Sequence, residues 1–227
     1  MEANKQITEK PDLGDGNTLE IVNIWKTIQG EGPFVGIPAT FVRVAGCNFR
    51  CLLCDTNYTS DRRSVPLDDL VAWIVDCRLS LVVITGGEPF RQNIGPLVER
   101  LSARGLAVQI ETNGSLSIDT FPWGNAQVVC SPKSPKVHPD IVSHAIAWKY
   151  VIEAGHTDDD GFPNRILGVG MRVARPPDGF SREQIYIQPL DEKEQWRNDR
   201  HRQAAVDICL KHGYRLCLQI QKIVGVK

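Results

Sequence analysis

Apolar runs of five to seven residues recur along the chain, divided by polar or glycine-bearing segments. Eight read as strands: LEIVNI (19–24), ATFVRV (39–44), LVVIT (81–85), LAVQIE (106–111), AQVVC (126–130), IAWKYVI (146–152), QIYIQ (184–188) and YRLCLQI (214–220). Several are apolar almost without a break, the pattern of strands buried on both faces of a parallel sheet. Helical spacing appears between them. Leu67, Leu70, Val71 and Ile74 share one apolar face, Pro66 suits the first turn, and Asp68 and Asp69 sit at the positive end of the dipole. Asn93 is placed to cap a helix that stops at Gly105, and a long helix from Glu192 to His212 should end before Gly213. Its Trp196, Arg197, Arg200, His201 and Arg202 alternate with acidic residues, which reads as a solvated face. Residues 155–177 read as mixed helix and loop.

Strand and helix in alternation predict right-handed crossovers and an α/β fold. A closed eightfold barrel needs roughly 250 residues, and this chain has 227. The expectation is an incomplete barrel of six to seven mostly parallel strands, a single domain over 19–227. Residues 1–18 are expected to be a flexible polar arm. The polar sequences AGCNFRCLLCDT, GGEP, TNG, SPK and PLD each follow a strand. Ligands of α/β folds bind at the carboxyl ends of parallel strands, so five strands direct chemistry to one rim.

Net charge is -1, which leaves no basic footprint for nucleic acid. No apolar run reaches the roughly 20 residues that span a bilayer, and the first 18 residues lack the apolar core of a signal peptide. A cytoplasmic protein without a membrane or nucleic-acid partner is expected. Seven cysteines in that setting are not a disulfide framework. Cys77, Cys130, Cys209 and Cys217 lie scattered in apolar segments and read as small core residues.

Cys47, Cys51 and Cys54 are different: they form C-x3-C-x2-C in a loop opening at Gly46. A structural zinc site wants four ligands, and the histidines, at 138, 144, 156, 201 and 212, are remote in sequence. Three thiolates suit a [4Fe–4S] cluster with one iron left open. Zinc remains the alternative.

C-x3-C-x2-C followed by G-G-E-P (86–89) resembles the radical S-adenosylmethionine superfamily. The resemblance implies that Gly87 and Glu88 meet the methionine amino group and that Leu53, where an aromatic residue is usual, lies near the adenine. Further segments are similar to the 7-carboxy-7-deazaguanine synthase family: TIQGEG (27–32), the strand ending at Arg43, CDT (54–56), ETNG (111–114), SPK (131–133) and QPLD (188–191). The match runs from about residue 20 onward. It implies a partial TIM-like barrel and a ring contraction of 6-carboxy-5,6,7,8-tetrahydropterin, with ammonia lost and S-adenosylmethionine regenerated.

By the same resemblance Cys54, Asp55, Ser131, Pro132, Lys133, Gln188, Pro189, Leu190 and Asp191 contact S-adenosylmethionine. Thr56 is linked to Mg²⁺, for which a hydroxyl is a suitable hard ligand. Ile28, Gln29, Gly30, Glu31, Arg43, Thr85, Glu111, Gln221 and Lys227 meet the pterin, Lys227 through its α-carboxylate. Arg43 stands in an apolar strand, where a charge is costly unless paired; a substrate carboxylate could pair it bidentately, as could an internal salt bridge. Gln221 occupies the position of a histidine in the Q-x-H-K segment that often ends family members. Lys149 reads as half of a structural ion pair. A homodimer and an external flavodoxin-like one-electron reductant are implied partners. An activase that installs a glycyl radical on a protein, and a non-catalytic iron–sulfur sensor or metal module, are the competing readings.

Overall fold

The computed structural model describes residues 3–226. Among these residues nine strands make one sheet: β1 (Thr18–Ile28), β2 (Pro38–Val44), β3 (Arg63–Pro66), β4 (Leu81–Gly86), β5 (Ala107–Thr112), β6 (Gln127–Cys130), β7 (Ala145–Ile152), β8 (Ile185–Pro189) and β9 (Arg215–Leu216). Their spatial order is β3-β1-β2-β4-β5-β6-β7-β8-β9. From β2 to β9 every pairing is parallel, whereas β1 runs antiparallel to both β2 and β3. The two end strands do not pair, so the barrel is unclosed.

Side chains alternate across a strand, and the two faces of this sheet differ. Val42, Val44, Val82, Ile84, Val108, Ile110, Val128, Trp148, Tyr150 and Ile187 belong to one large buried cluster. Helices α1 (Leu67–Asp76), α2 (Gly95–Ser102), α3 (Pro139–His144) and α4 (Gln195–His212) bury their apolar residues in that same cluster. The opposite parity gives Phe41, Arg43, Val83, Thr85, Gln109, Glu111, Val129, Lys149 and Gln188. Here smaller apolar clusters around Ala39, Leu81 and Val83, and around Val129, Ala147 and Tyr186, sit beside polar side chains. A sheet covered by helices on one face thus presents its chemistry on the other.

Several expected elements differ. The helix anticipated from Asn93 begins at Gly95, whose N–H donates to Asn93 Oδ1 at 3.3 Å. The long helix starts at Gln195, because Asn198 Oδ1 instead accepts from the Glu192 N–H at 2.9 Å and holds residues 191–193 in a turn. It ends at Gly213, which takes the left-handed conformation (φ 73°). The last strand is cut to two residues. Cys217 N–H still reaches Ile187 O at 2.8 Å, but Gln219 then gives its amide to Glu31, and the chain turns into the short helix α5 (Ile220–Ile223). No helix forms within 155–177, where Gly155, Gly161 and Gly168 adopt positive φ and Arg175 ties down Asp158 and Asp160.

The arm is also unlike the expectation. Its described residues are not frayed: Asn4, Gln6 and Glu9 hydrogen-bond the cysteine loop, and Asp12 bridges to Gln92. Its polarity, which suggests a solvated tail, supplies partners for loop carbonyls.

Ile84 is fully buried at the middle of the sheet. Ile84→Ala should lower apo-protein stability by about 2–5 kcal/mol, read from the urea midpoint at unchanged slope. A loss below about 1 kcal/mol would mean that the helix-covered face is not the main core.

Candidate active site

Thr85, Glu111 and Gln188 stand near the carboxyl ends of parallel strands β4, β5 and β8, Ser131 just follows β6, and the cysteine loop follows β2, so the polar face opens into one cavity of about 440 Å³. Cys47, Cys51 and Cys54 line it, with Leu53, Asp55 and Thr56 of the same loop. So do Gly87, Ser131, Lys133 and the run Gln188 to Asp191. Glu31, Arg43, Thr85, Glu111 and Gln221 line the same cavity. Residues separated by more than 150 positions meet because each sits at a strand end.

Burial pushes the Cys47 thiol up to about 12 and raises those of Cys51 and Cys54. Such thiols ionise when a metal displaces the proton. Among the described residues no three or more His, Cys, Asp or Glu side chains converge as a set for one metal ion. A tripod giving one thiolate to each of three irons has no need to converge in that way. The donor set therefore fits a four-iron cluster better than zinc.

The glycines of GGEP act by close approach. A Cβ on Gly87 would fall 2.0 Å from Gly46 O and 2.8 Å from Cys47 Cβ, so the end of β4 presses directly on the start of the cysteine loop. Glu88 departs from its expected role. It is fully buried and outside the cavity lining; its Oε1 accepts from Thr112 Oγ1 at 2.7 Å and Phe90 N–H at 3.0 Å, and its Oε2 from Asn113 N–H at 2.7 Å. Burial pushes its carboxyl up to about 7 despite these donors. Glu88 braces ETNG against the cysteine-loop side of the site.

Four more of the expected contacts lie behind the cavity wall. Gln29 is buried, donating from Nε2 to Gln109 Oε1 at 2.9 Å and Glu111 Oε1 at 3.1 Å, while its Oε1 accepts from Glu31 N–H at 3.0 Å. Its amide is spent on the wall. Gly30 has its open side filled by the Gln221 side chain, where a Cβ would fall 1.5 Å from Oε1. Ile28 is paired to Pro38 at the end of β1, and Pro132 is buried without reaching the lining. Lys227 lies outside the described residues.

The charges divide into two groups. Lys149 pairs with Glu31 and lies 3.9 Å from Glu111, with all three side chains less than a fifth exposed. Burial would pull the lysine down, but the two carboxylates hold it protonated, above its ordinary value. Burial raises Glu111, while Lys149 and a Gln219 hydrogen bond outweigh burial and keep Glu31 low. Arg43 is left over. Its guanidinium lies over the Trp25 ring at 4.9 Å, and its Nε is buried without a hydrogen-bond partner. Among the described residues it has no ion pair; burial lowers its pKa, with Asp55 and Glu111 opposing only at longer range.

Lys133 is half-buried in the lining, its pKa lowered by burial, and its Nζ donates to Ser131 O and Oγ at 2.7 and 2.6 Å. Thr56 Oγ1 donates to Asp55 Oδ1 at 3.2 Å. Lys222 bridges Asp55 and Asp191 at 3.1 and 3.0 Å, so α5 clips the cysteine loop to the loop after β8. Lys149, Lys222, Trp25, Asn113 and Gln219 all line the cavity, beyond the residues that the motifs lead one to expect there. For Lys149 a signal exists: it has the same strand parity as Arg43, Thr85 and Glu111.

A thiol tripod at the carboxyl rim of an open α/β barrel is the arrangement of one large class, and residues 41–122 match the Radical SAM superfamily. The chain is similar to the 7-carboxy-7-deazaguanine synthase of Rhodospirillum rubrum, 45% identical over 95% of this chain and 96% of that protein. It is 35% identical to the Rickettsia prowazekii synthase over 94% of this chain and 91% of that protein. The crystal structure of QueE from Escherichia coli superposes with a TM-score of 0.65 at 25% identity, covering 88% of this chain and 93% of that one. The chain belongs to the 7-carboxy-7-deazaguanine synthase family. Membership carries a [4Fe–4S] cluster and S-adenosylmethionine as cofactors.

Removing Lys149 leaves two carboxylates buried together. Lys149→Met should cost about 3–5 kcal/mol at pH 8. Unpaired carboxylates have folded pKa values above their unfolded ones, so the deficit should shrink as pH falls and they protonate. Urea unfolding at pH 8 and pH 5.5 measures both; an equal deficit at both values would contradict this balance of charges.

Proposed function

We propose that this protein converts 6-carboxy-5,6,7,8-tetrahydropterin to 7-carboxy-7-deazaguanine with loss of ammonia, and that Cys47, Cys51 and Cys54 hold the cluster. The observation that carries the substrate reading is Arg43, a half-buried guanidinium whose Nε is buried without an acceptor and which lacks an ion pair among the described residues. A substrate carboxylate would complete it bidentately. Glu31 and Glu111, 3.9 Å or less from a shared lysine, face a ligand edge rich in N–H donors, as the pterin pyrimidine is. Thr85, the register partner of Arg43, adds a hydroxyl, and Gln221 lines the cavity beside Glu31, to which its Nε2 donates.

The cluster held by Cys47, Cys51 and Cys54, with S-adenosylmethionine, would supply the radical chemistry able to remove hydrogen from C6 of the pterin. The chain's part is to bind and orient. Ser131 and Lys133 hold the methionine carboxylate. Leu53, Asp55, Gln188, Pro189, Leu190 and Asp191 enclose the adenosine, and Gly87 offers backbone to the methionine amino group. The Thr56 hydroxyl would hold Mg²⁺, which keeps most of its waters and takes few protein ligands. Lys149 neutralises one carboxylate of its pair, so a donor-rich ring meets a site with one negative charge in excess. Family resemblance further supports a cytoplasmic homodimer reduced by a flavodoxin-like protein.

Anaerobic incubation with the carboxylated tetrahydropterin, dithionite and S-adenosylmethionine should generate deazaguanine absorbance. Its absence, with 5′-deoxyadenosine still released, would favour the protein-activase reading. Cys51→Ala should lose brown colour and S-adenosylmethionine cleavage together; a fully active variant would remove the cluster assignment.

A further inference from the structure

Cys47, Cys51 and Cys54 lie within residues 45–62, a stretch carrying neither helix nor strand. No ladder fixes such a segment, so its shape depends on where its backbone polar groups find partners. Much of that partnering comes from the N-terminal arm. Glu9 N–H donates to Cys47 O at 2.8 Å, and Asn4 N–H to Leu52 O at 2.8 Å. Asn4 Nδ2 donates to Cys51 O at 3.1 Å. Gln6 Nε2 donates to Thr56 O at 2.8 Å, while its Oε1 accepts from Tyr58 N–H at 2.7 Å.

Two of the three cysteine carbonyls, and those of Leu52 and Thr56 beside the third, are therefore held from outside the cavity. Tyr58, almost fully buried, locks the underside: its hydroxyl donates to Phe49 O at 3.3 Å and accepts from Asn4 Nδ2 at 3.3 Å. The arm is itself fastened. Glu9 pairs with Arg62 and with the buried Arg91 at 3.5 Å, and Asp12 N–H donates to Arg91 O at 2.8 Å. Arg91 follows GGEP, and its Nη2 also donates to Ala45 O at 3.1 Å. One short segment thus joins the loop after β2 to the loop after β4 across the back of the thiols.

We propose that residues 3–12 are a strap that presets the cysteine loop for the cluster and slows cluster loss, with Asn4 and Gln6 as its positioning residues. The proposal rests on the cluster assignment above. Neither side chain reaches the cavity lining, so their effect passes through the backbone of the loop. Three thiolates aimed in advance bind a rigid inorganic group with less ordering than a loose loop would need. The coupling is reciprocal: if the docked arm favours the cluster, a bound cluster favours the docked arm by the same factor.

The full chain tests both directions. Lys5 is exposed within the arm and, followed by Gln6, is a natural trypsin site, whereas Lys10 precedes Pro11 and resists cleavage. In wild type, cleavage after Lys5 should be slower in the reconstituted protein than in the apo-protein, as read by mass spectrometry of the N-terminal peptides. The Asn4→Ala/Gln6→Ala double variant should release iron to an excess chelator on the order of tenfold faster than wild type. Ile7→Ala, altering an exposed arm residue (68%), should release it at the wild-type rate. Equal cleavage in the two states, or equal iron release by the double variant and wild type, overturns the strap. Wild-type protein that takes up no iron removes the cluster assignment instead.

Discussion

The site is organised around a charge that the protein does not neutralise. Arg43 extends from β2 into the cavity with the Trp25 ring beneath it and one N–H buried without an acceptor, while Asp55 and Glu111 act on it without forming an ion pair. A desolvated guanidinium costs several kcal/mol unless paired. The fold sustains that cost because the other face of the sheet is an uninterrupted apolar layer under four helices. Strand parity separates the two tasks: even-numbered positions of β2 and β4 make the core, and odd-numbered ones make the site.

The charges elsewhere in the cavity complement this one. Lys149 sits between Glu31 and Glu111 and leaves one negative charge, facing the positive charge of Arg43. A ligand with a carboxylate at one end and an N–H-rich ring edge at the other matches that polarity in a single orientation. The amides around the acidic pair, Gln29, Gln109, Gln219 and Gln221, spend their donors on its oxygens and fix where they point. That fixed array is what a ring contraction needs, since the hydrogen to be taken must lie against one reacting carbon.

Much of this is legible in the chain itself. The cysteine spacing, GGEP and the polar segments following strands all report directly on the rim, and Arg43 is conspicuous as a charge in an apolar strand. What stays hidden is which motif residues face the ligand and which face one another. Glu88 and Thr112 belong to separate motifs, yet their bond at 2.7 Å ties the motifs together and withdraws Glu88 from the cavity. Gln29 and Gly30 likewise serve the wall, because the C-terminal glutamines fill the space beside them. The arm departs from expectation for a related reason. Polar composition says that a segment does not enter the core, but not that its amides find loop carbonyls. The last apolar run stops short as a strand: Ile220 N–H turns to Gly30 O while the side chains of Gln219 and Gln221 anchor on Glu31.

The most direct measurement is a binding cycle, made anaerobically without reductant, on the cluster-loaded protein with S-adenosylmethionine. It compares the carboxylated tetrahydropterin with the same ring lacking the carboxylate, on wild type and on Arg43→Met. If Arg43 awaits that group, wild type should prefer the carboxylated ligand by about 2–5 kcal/mol, at least roughly 30-fold, and the variant should show almost no preference. An undiminished preference in Arg43→Met would contradict the account, because another group would then be holding the carboxylate.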